Sequence, residues 1–181
     1  MQLYIALLPD TFVSNTILQL RKEVVDLNLG NIDSRQKVLP HTTILSFEED
    51  IRNEKVNEII ELLNKLQYSD SITLPVIDIT NWDQKVVAMF DIDPLRQLKT
   101  EVDALVRKSD IAFDTEYKKL YGNTIGDHMK LARQIKKDTI EEVKTLFRRN
   151  LPQLITFTRV VLIEYGCDEK DILWSNDLTT S

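Results

Sequence analysis

The feature that most constrains this chain is a repeat in the order of its strand and helix patterns. Each half reads strand, helix, histidine-bearing strand, helix, strand. The first strand pattern begins near Leu3 and its counterpart near Val86, and the first helical period begins near Phe12 and again near Leu95. The closing strand of each half begins near Ile72 and near Ile155. The only two histidines, His41 and His128, stand 87 residues apart on the equivalent strands. A duplicated α+β lobe would set those strands at equivalent positions about a pseudo-twofold axis, with both imidazoles in one cleft.

The individual elements follow from local patterns. Residues 2–8 read as a strand ended by Pro9-Asp10, and Asp10 or Thr11 is suited to cap the helix that follows. Phe12, Val13, Ile17, Leu20, Val24 and Leu27 give that helix its period, and Gly30 is a candidate C-cap. Residues 39–47 (LPHTTILSF) form the first histidine strand. A second amphipathic helix carries Val56, Ile59, Ile60, Leu63 and Leu66. Residues 71–80 alternate as a strand in which Pro75 implies an edge or a bulge. Residues 81–83 read as a turn and 85–92 as a strand. Asp93-Pro94 starts a helix lined by Leu95, Leu98, Val102, Leu105 and Val106. Residues 108–124 lack a clean period and read as a long loop with room for a helical turn, and such loops are often functional. A turn at 122–127 delivers the second histidine strand. Asp138 is the expected cap of a helix ending at Arg149, followed by strands at 154–165 and 172–174.

Composition narrows the function. Hydrophobic residues make up 43% and charged residues 29% of 181, ordinary values for a soluble chain able to form a sizeable core. No apolar run is long enough to span a membrane as a helix, and the opening residues read as a strand and not as a signal peptide. The single cysteine, Cys167, permits neither an internal disulfide nor a cysteine-based zinc site. Together these point to the cytoplasm; a monomer is the expected state. The net charge of −6 argues against long duplex nucleic acid, whose binding needs a basic surplus. A nucleic-acid substrate would be short or held by its end, with Lys130, Arg133 and Lys136 as a local basic patch.

Side-chain alternation puts His41 and Thr43 on one face of their strand, and His128 and Lys130 on one face of theirs. Imidazole is suited to proton transfer near neutral pH, so two across a cleft can divide the roles of base and acid. The residue two positions on would hydrogen-bond the group being substituted: Thr43 through a hydroxyl, Lys130 through an ammonium. Phosphate suits both donors, because charge builds on its oxygens during substitution. Two histidines alone make a weak metal site, so neither metal nor cofactor is expected. Tyr4 shares a face of the first strand with Ala6 and is a candidate to stack on a base, with core packing the competing role. Arg133 faces away from His128 if the strand is regular. Trp82, Trp174 and Tyr165 read as packing residues.

Pro40-His-Thr-Thr-Ile-Leu-Ser-Phe47 and His128-Met-Lys-Leu-Ala-Arg133 resemble the paired motifs of the 2H phosphoesterase superfamily, in its 2′-5′ RNA ligase-like, RNA 2′,3′-cyclic phosphodiesterase branch. Residues 2–6, 161–165 and 172–174 resemble that family's first and last strands. The resemblance spans nearly the whole chain. It implies a single bilobal α+β domain over 1–181, with repeats at roughly 1–80 and 85–165 and a C-terminal strand in 166–181. Two antiparallel sheets would line a central cleft, with helices outside. It implies a metal-independent phosphodiesterase acting on a 2′,3′-cyclic phosphate, a 2′-5′ linkage or a small cyclic nucleotide. His41 and His128 would be its acid and base, and Thr43 a phosphate ligand. The departure is Lys130, where the family carries Thr or Ser. An ammonium can hold a phosphate oxygen, but its long stem would not occupy the hydroxyl's place. A non-catalytic module that binds a nucleotide or RNA end is therefore the alternative.

Overall fold

The structure, a computed structural model, describes residues 2–30, 38–47, 51–111, 113–114, 116–117, 123–124, 127–164 and 171–179. The first half runs β1 (Leu3–Pro9), α1 (Thr11–Asp26), β2 (Thr42–Phe47), α2 (Asn53–Leu63) and β3 (Ile72–Trp82). The second runs β4 (Lys85–Phe90), a 3-10 turn at Asp93–Leu95, and α3 (Arg96–Val106). Then come three two-residue strands, β5 (Phe113–Asp114), β6 (Glu116–Tyr117) and β7 (Asn123–Thr124). It closes with β8 (His128–Ala132), a 3-10 turn at Lys137–Thr139, α4 (Ile140–Asn150) and β9 (Leu154–Glu164), after which β10 (Ile172–Asp177) follows.

The strand pairings are antiparallel and return on themselves. β1 pairs β2, β2 pairs β8, β8 pairs β4, β4 pairs β3, β3 pairs β9, and β9 pairs β1. Exchanging β1 with β4, β2 with β8 and β3 with β9 leaves this circuit unchanged. The long β9 makes it possible: its first residues pair with β3, while Phe157 onward pairs with β1. β10 extends the sheet beside β9, and β5 adds to the far end of β2. The hydrogen bonding therefore gives one continuous eight-stranded sheet where two separate sheets were expected. The closing rungs are long-range pairings between halves, which local alternation does not encode.

One face of this sheet carries the main core. Ile17 of α1, Leu63 of α2, Val102 of α3 and Phe147 of α4 pack there against Ile5, Ile44, Val86, Leu131 and Phe157. Burying each such side chain contributes roughly 1.5–3 kcal/mol. The opposite face of β1 and β9 carries a smaller cluster of Tyr4, Ala6, Leu8, Val161 and Ile163. His41 and Thr43 belong to that second face.

Several boundaries differ from the sequence reading. Asp10 is the cap of α1, its carboxylate accepting from the Val13 N–H at 2.8 Å. Gly30 does not end the helix: Leu27 is the C-cap and Asn28 takes the left-handed turn at φ 57°. Gly30 instead bridges Ile135, and a Cβ there would lie 3.0 Å from the Ile135 side chain and 3.1 Å from the Gln134 carbonyl. β3 extends through Trp82, so the turn falls at Asp83-Gln84, with Asp83 at φ 51°. Pro75 lies where β3 passes from β9 to β4, so its missing N–H interrupts neither ladder. Asp138 sits inside the 3-10 turn and does not cap α4. The described parts of 108–124 beyond α3 include short strands and no helical turn. Tyr165, Cys167 and half of the 122–127 turn lie outside the described residues.

Because α1 carries a side chain on which the site depends, its cap has a measurable role. Asp10→Ala should lower stability by about 1 kcal/mol in urea unfolding. An unchanged midpoint would show that the cap contributes nothing.

Candidate active site

The two histidine motifs meet at one rung. Thr42 of β2 is paired with Met129 of β8, and the Thr42 hydroxyl donates to the His128 carbonyl at 2.9 Å. Antiparallel geometry then sets His41 level with Lys130 and Thr43 level with His128, all on the face opposite Thr42 and Met129. Directly opposed Cβ atoms lie about 4.5–5.5 Å apart and diagonal ones about 7–8 Å. The two histidines occupy one diagonal of this square and the two polar partners the other. The four sequence-derived residues are thus brought to one patch. His41 and Lys130 also line a narrow cavity of about 20 Å³, with Arg21, Leu39 and Arg133 around it. That volume holds about one water.

Each imidazole is oriented by its Nδ1. In His41, Nδ1 lies 2.7 Å from the Leu39 carbonyl. A carbonyl only accepts, so the neutral ring's hydrogen is assigned to Nδ1, which leaves Nε2 with the lone pair. In His128, Nδ1 lies 2.8 Å from the Asp127 carboxylate. By the same logic Nδ1–H donates to Asp127 and Nε2 is the exchangeable position. Tyr4 stacks on His41 with centroids 5.0 Å apart and planes at 29°. With only 5% of Tyr4 exposed, its ring is spent on the imidazole and the second-face cluster. Trp82 lies 4.4 Å from His128, tilted at 60°, so this packing residue forms one wall of the candidate site.

Sequence reasoning missed the residue that joins the motifs. Arg21 of α1 is buried and donates through Nε to the Leu131 carbonyl at 2.7 Å and through Nη2 to the Lys130 carbonyl at 2.9 Å. Its Nη1 donates to the Val38 carbonyl, on the segment leading into His41. Arg21 therefore ties the approach to β2 and the body of β8 to the same helix. The available signal was a cation at a buried position of the α1 period, between Ile17 and Val24.

Arg133 is a correction. Val86 pairs Ala132 while Val87 pairs Lys130, so Leu131 is an extra, bulged residue. The bulge reverses the alternation beyond it, and Arg133 joins His41 and Lys130 around the cavity instead of facing away. Asp127, one residue before β8, was likewise missed as the His128 partner.

The electrostatics are those of crowded, partly dehydrated cations. Burial lowers His41 from its ordinary 6.5 to about 4; the Leu39 carbonyl opposes this, and the charges of Lys130, Arg21 and His128 add to it. Burial also lowers Lys130 to about 8, helped by Arg133 and Lys85. Arg21 falls to about 10 through burial and the nearby Arg133. Among the described residues, no group of three or more His, Cys, Asp or Glu side chains is placed to hold a metal ion. No helix among them is long and apolar enough to cross a membrane.

The closed antiparallel circuit with helices on one face is a fold that this chain shares with several solved structures. The solved structures it matches include Escherichia coli LigT complexed with 3′-AMP, with a TM-score of 0.60 at 16% identity over 99% of this chain and 98% of LigT. TT0787 of Thermus thermophilus matches with a TM-score of 0.60 at 13% identity over the full length of both chains. A further structure, described as a phosphoesterase, matches with a TM-score of 0.57 at 14% identity, covering 99% of this chain and 98% of that one. No family model matches the chain, and no curated protein matches its sequence.

Two expectations follow from the geometry. Arg21→Met should destabilise the protein by about 3 kcal/mol or more, because three carbonyls lose a charged donor in the interior; a urea midpoint within error of wild type would refute the clamp. His41 contributes in the opposite sense to most histidine pairs. Its folded-state value of about 4 lies below its unfolded value near 6.5, so the unfolded chain binds more protons between them. The contribution, on the order of 3 kcal/mol at most, is complete above pH 6.5 and lost as pH falls through 4. Thermal midpoints from pH 7 to 4 should fall less steeply for His41→Asn than for wild type. Parallel curves would contradict the assignment.

Proposed function

We propose that this chain is a metal-independent phosphodiesterase acting on nucleotides or RNA ends that carry a 2′,3′-cyclic phosphate or a 2′-5′ linkage. Its two halves, roughly 1–80 and 85–165, would act as one unit. The observation that carries this reading is the register at Thr42 and Met129, which sets two imidazoles diagonally and two phosphate donors between them. The LigT-like fold supports it at the level of phosphodiester chemistry.

The hydrogen-bond partners suggest a division of labour. His41 is neutral at physiological pH and offers Nε2 as acceptor, so it takes the proton from the attacking water. His128, backed by the Asp127 carboxylate, gives a proton to the departing ribose oxygen. The bond from phosphorus to that oxygen breaks as the bond to water oxygen forms. Lys130 and Thr43 hold the non-bridging oxygens, where charge accumulates. Lys130 also favours a second reading, a nucleotide-binding module, because a lysine replaces the small hydroxyl of the resembling motif.

His41→Ala and His128→Ala should each reduce kcat by about 10²–10⁴-fold on 2′,3′-cyclic nucleotides, with folding retained and EDTA without effect. Full turnover by either variant would refute the mechanism. Lys130→Thr separates the two readings: a loss of existing activity places Lys130 in a working site, whereas activity gained from none makes the native chain a binder.

A further inference from the structure

Among the described residues β2 and β8 share only the rung at Thr42 and Met129, and the segments before His41 and after Lys130 then part. The cavity of about 20 Å³ lies in that parting, with His41 and Lys130 at one end, Leu39 and Arg133 at the other, and Arg21 of α1 along it. Arg21, His41, Lys130 and Arg133 are all basic, and no carboxylate lines the slot. The bulge at Leu131 is what brings Arg133 to it.

These cations lack compensation. Arg21 donates to the carbonyls of Val38, Lys130 and Leu131, which carry no formal charge. Burial, and after it the positive charges of Arg133 and Lys85, disfavours the Lys130 ammonium. Burial and Arg133 act in the same way on Arg21. Neither Lys130 nor Arg133 makes a side-chain hydrogen bond or ion pair among the described residues. Partly dehydrated cations without partners cost free energy, which a bound anion would offset. The space holds about one water, which is room for one phosphate oxygen.

The position of the slot selects the anion. The square of Thr43, His128, His41 and Lys130 ends at the row of His41 and Lys130, and the slot begins at that row. Their centres are therefore one repeat of two strand residues apart, roughly 6–7 Å. Two phosphates joined through one ribose span a similar length, whereas those of a pyrophosphate lie closer together. His128, which faces the departing ribose oxygen in the proposed reaction, precedes Lys130 and Arg133 on the same strand. A ribose leaving at His128 can therefore extend beside Lys130 toward Arg133.

We infer that the slot between Lys130 and Arg133 is a second anion subsite, which takes the phosphate on the 5′ side of the ribose whose cyclic phosphate lies between the histidines. The inference rests on the proposed phosphodiesterase reading and deepens it: the substrate carries two phosphates, one ribose apart. A terminal 5′-phosphate and the internal phosphodiester of an RNA strand present the same oxygens there.

The test compares three substrates that share one base on the cyclic end: a nucleoside 2′,3′-cyclic phosphate with a free 5′-hydroxyl, the same compound with a 5′-phosphate, and the dinucleotide in which that phosphate is internal. Wild type should prefer at least one of the two phosphorylated forms by at least tenfold in kcat/KM, and the form preferred identifies the source. Arg133→Gln should shrink that preference at least fivefold, through KM, and Arg133→Lys should restore part of it. Equal values on all three substrates, or a preference that Arg133→Gln leaves intact, would overturn the subsite and leave the phosphodiesterase reading standing. If wild type turns over none of them, the phosphodiesterase reading falls, and the subsite is decided by calorimetric titration with a nucleoside 3′,5′-bisphosphate against the nucleoside 3′-phosphate. Tighter binding of the bisphosphate by wild type, weakened at least fivefold in Arg133→Gln, supports it; no difference removes it. Arg133 is half-buried and bonds to none of the described residues, so both variants should fold.

Discussion

A single buried guanidinium stands at the point where the two halves of this sheet begin to part. β2 and β8 share the rung at Thr42 and Met129. On one side of it, the carbonyls of Val38, Lys130 and Leu131 all accept from Arg21. Burying a guanidinium costs several kcal/mol, and its lowered pKa of about 10 records that cost. Three carbonyl partners in fixed positions offset it, because carbonyls without a donor would carry their own penalty. The fork geometry of arginine matters here, since a lysine could not address three acceptors on two segments at once. Removal of Arg21 would therefore loosen the approach to His41 and the body of β8 together.

Two bulges then decide which side chains reach the site. Tyr4 to Ala6 on β1 spans Ser46 to Thr43 on β2, so Ile44 is an extra residue and Ile44 and Leu45 both enter the core. Leu131 does the same on β8, so Leu131 and Ala132 both point inward. Each bulge lies beyond the His-x-polar pair, so within each pair the alternation is preserved. Outside it the alternation reverses. That is why His41 with Thr43 and His128 with Lys130 were legible from period alone, while Arg133 was assigned to the wrong face. A bulge is defined by its partner strand, and a sequence read in one dimension has no partner.

The same distinction explains what else the sequence disclosed. Helix and strand periods are local, so the repeated order of elements and most of the core could be read directly. The closure of the circuit through β9, and the reach of Arg21 to residues 109 and 110 positions away, are contacts of high sequence separation. Trp82 shows a milder case. Asn81-Trp-Asp reads as a turn because Asn and Asp favour turns, but the chain needs only Asp83 and Gln84 to reverse. The strand gains two residues, and the indole comes to lie against His128.

The cations around the candidate site would be favoured by an anion in place. The chain carries a net charge of −6, yet burial, and after it neighbouring cations, lowers the pKa values of Arg21 and Lys130, and burial with three positive neighbours disfavours the protonated form of His41. A ring at about 4 is a weak base for chemistry near neutral pH, where the best catalytic pKa lies close to the working pH. A phosphodiester between the histidines would offset part of this local positive field. Its negative charge would favour the protonated forms of both Lys130 and His41, by the same Coulombic effect that now disfavours them. The substrate would thereby raise His41 toward the range in which a base is effective. The low value of the free protein and a role as base are then compatible, because the phosphodiester that the water attacks also supplies the charge that strengthens the base.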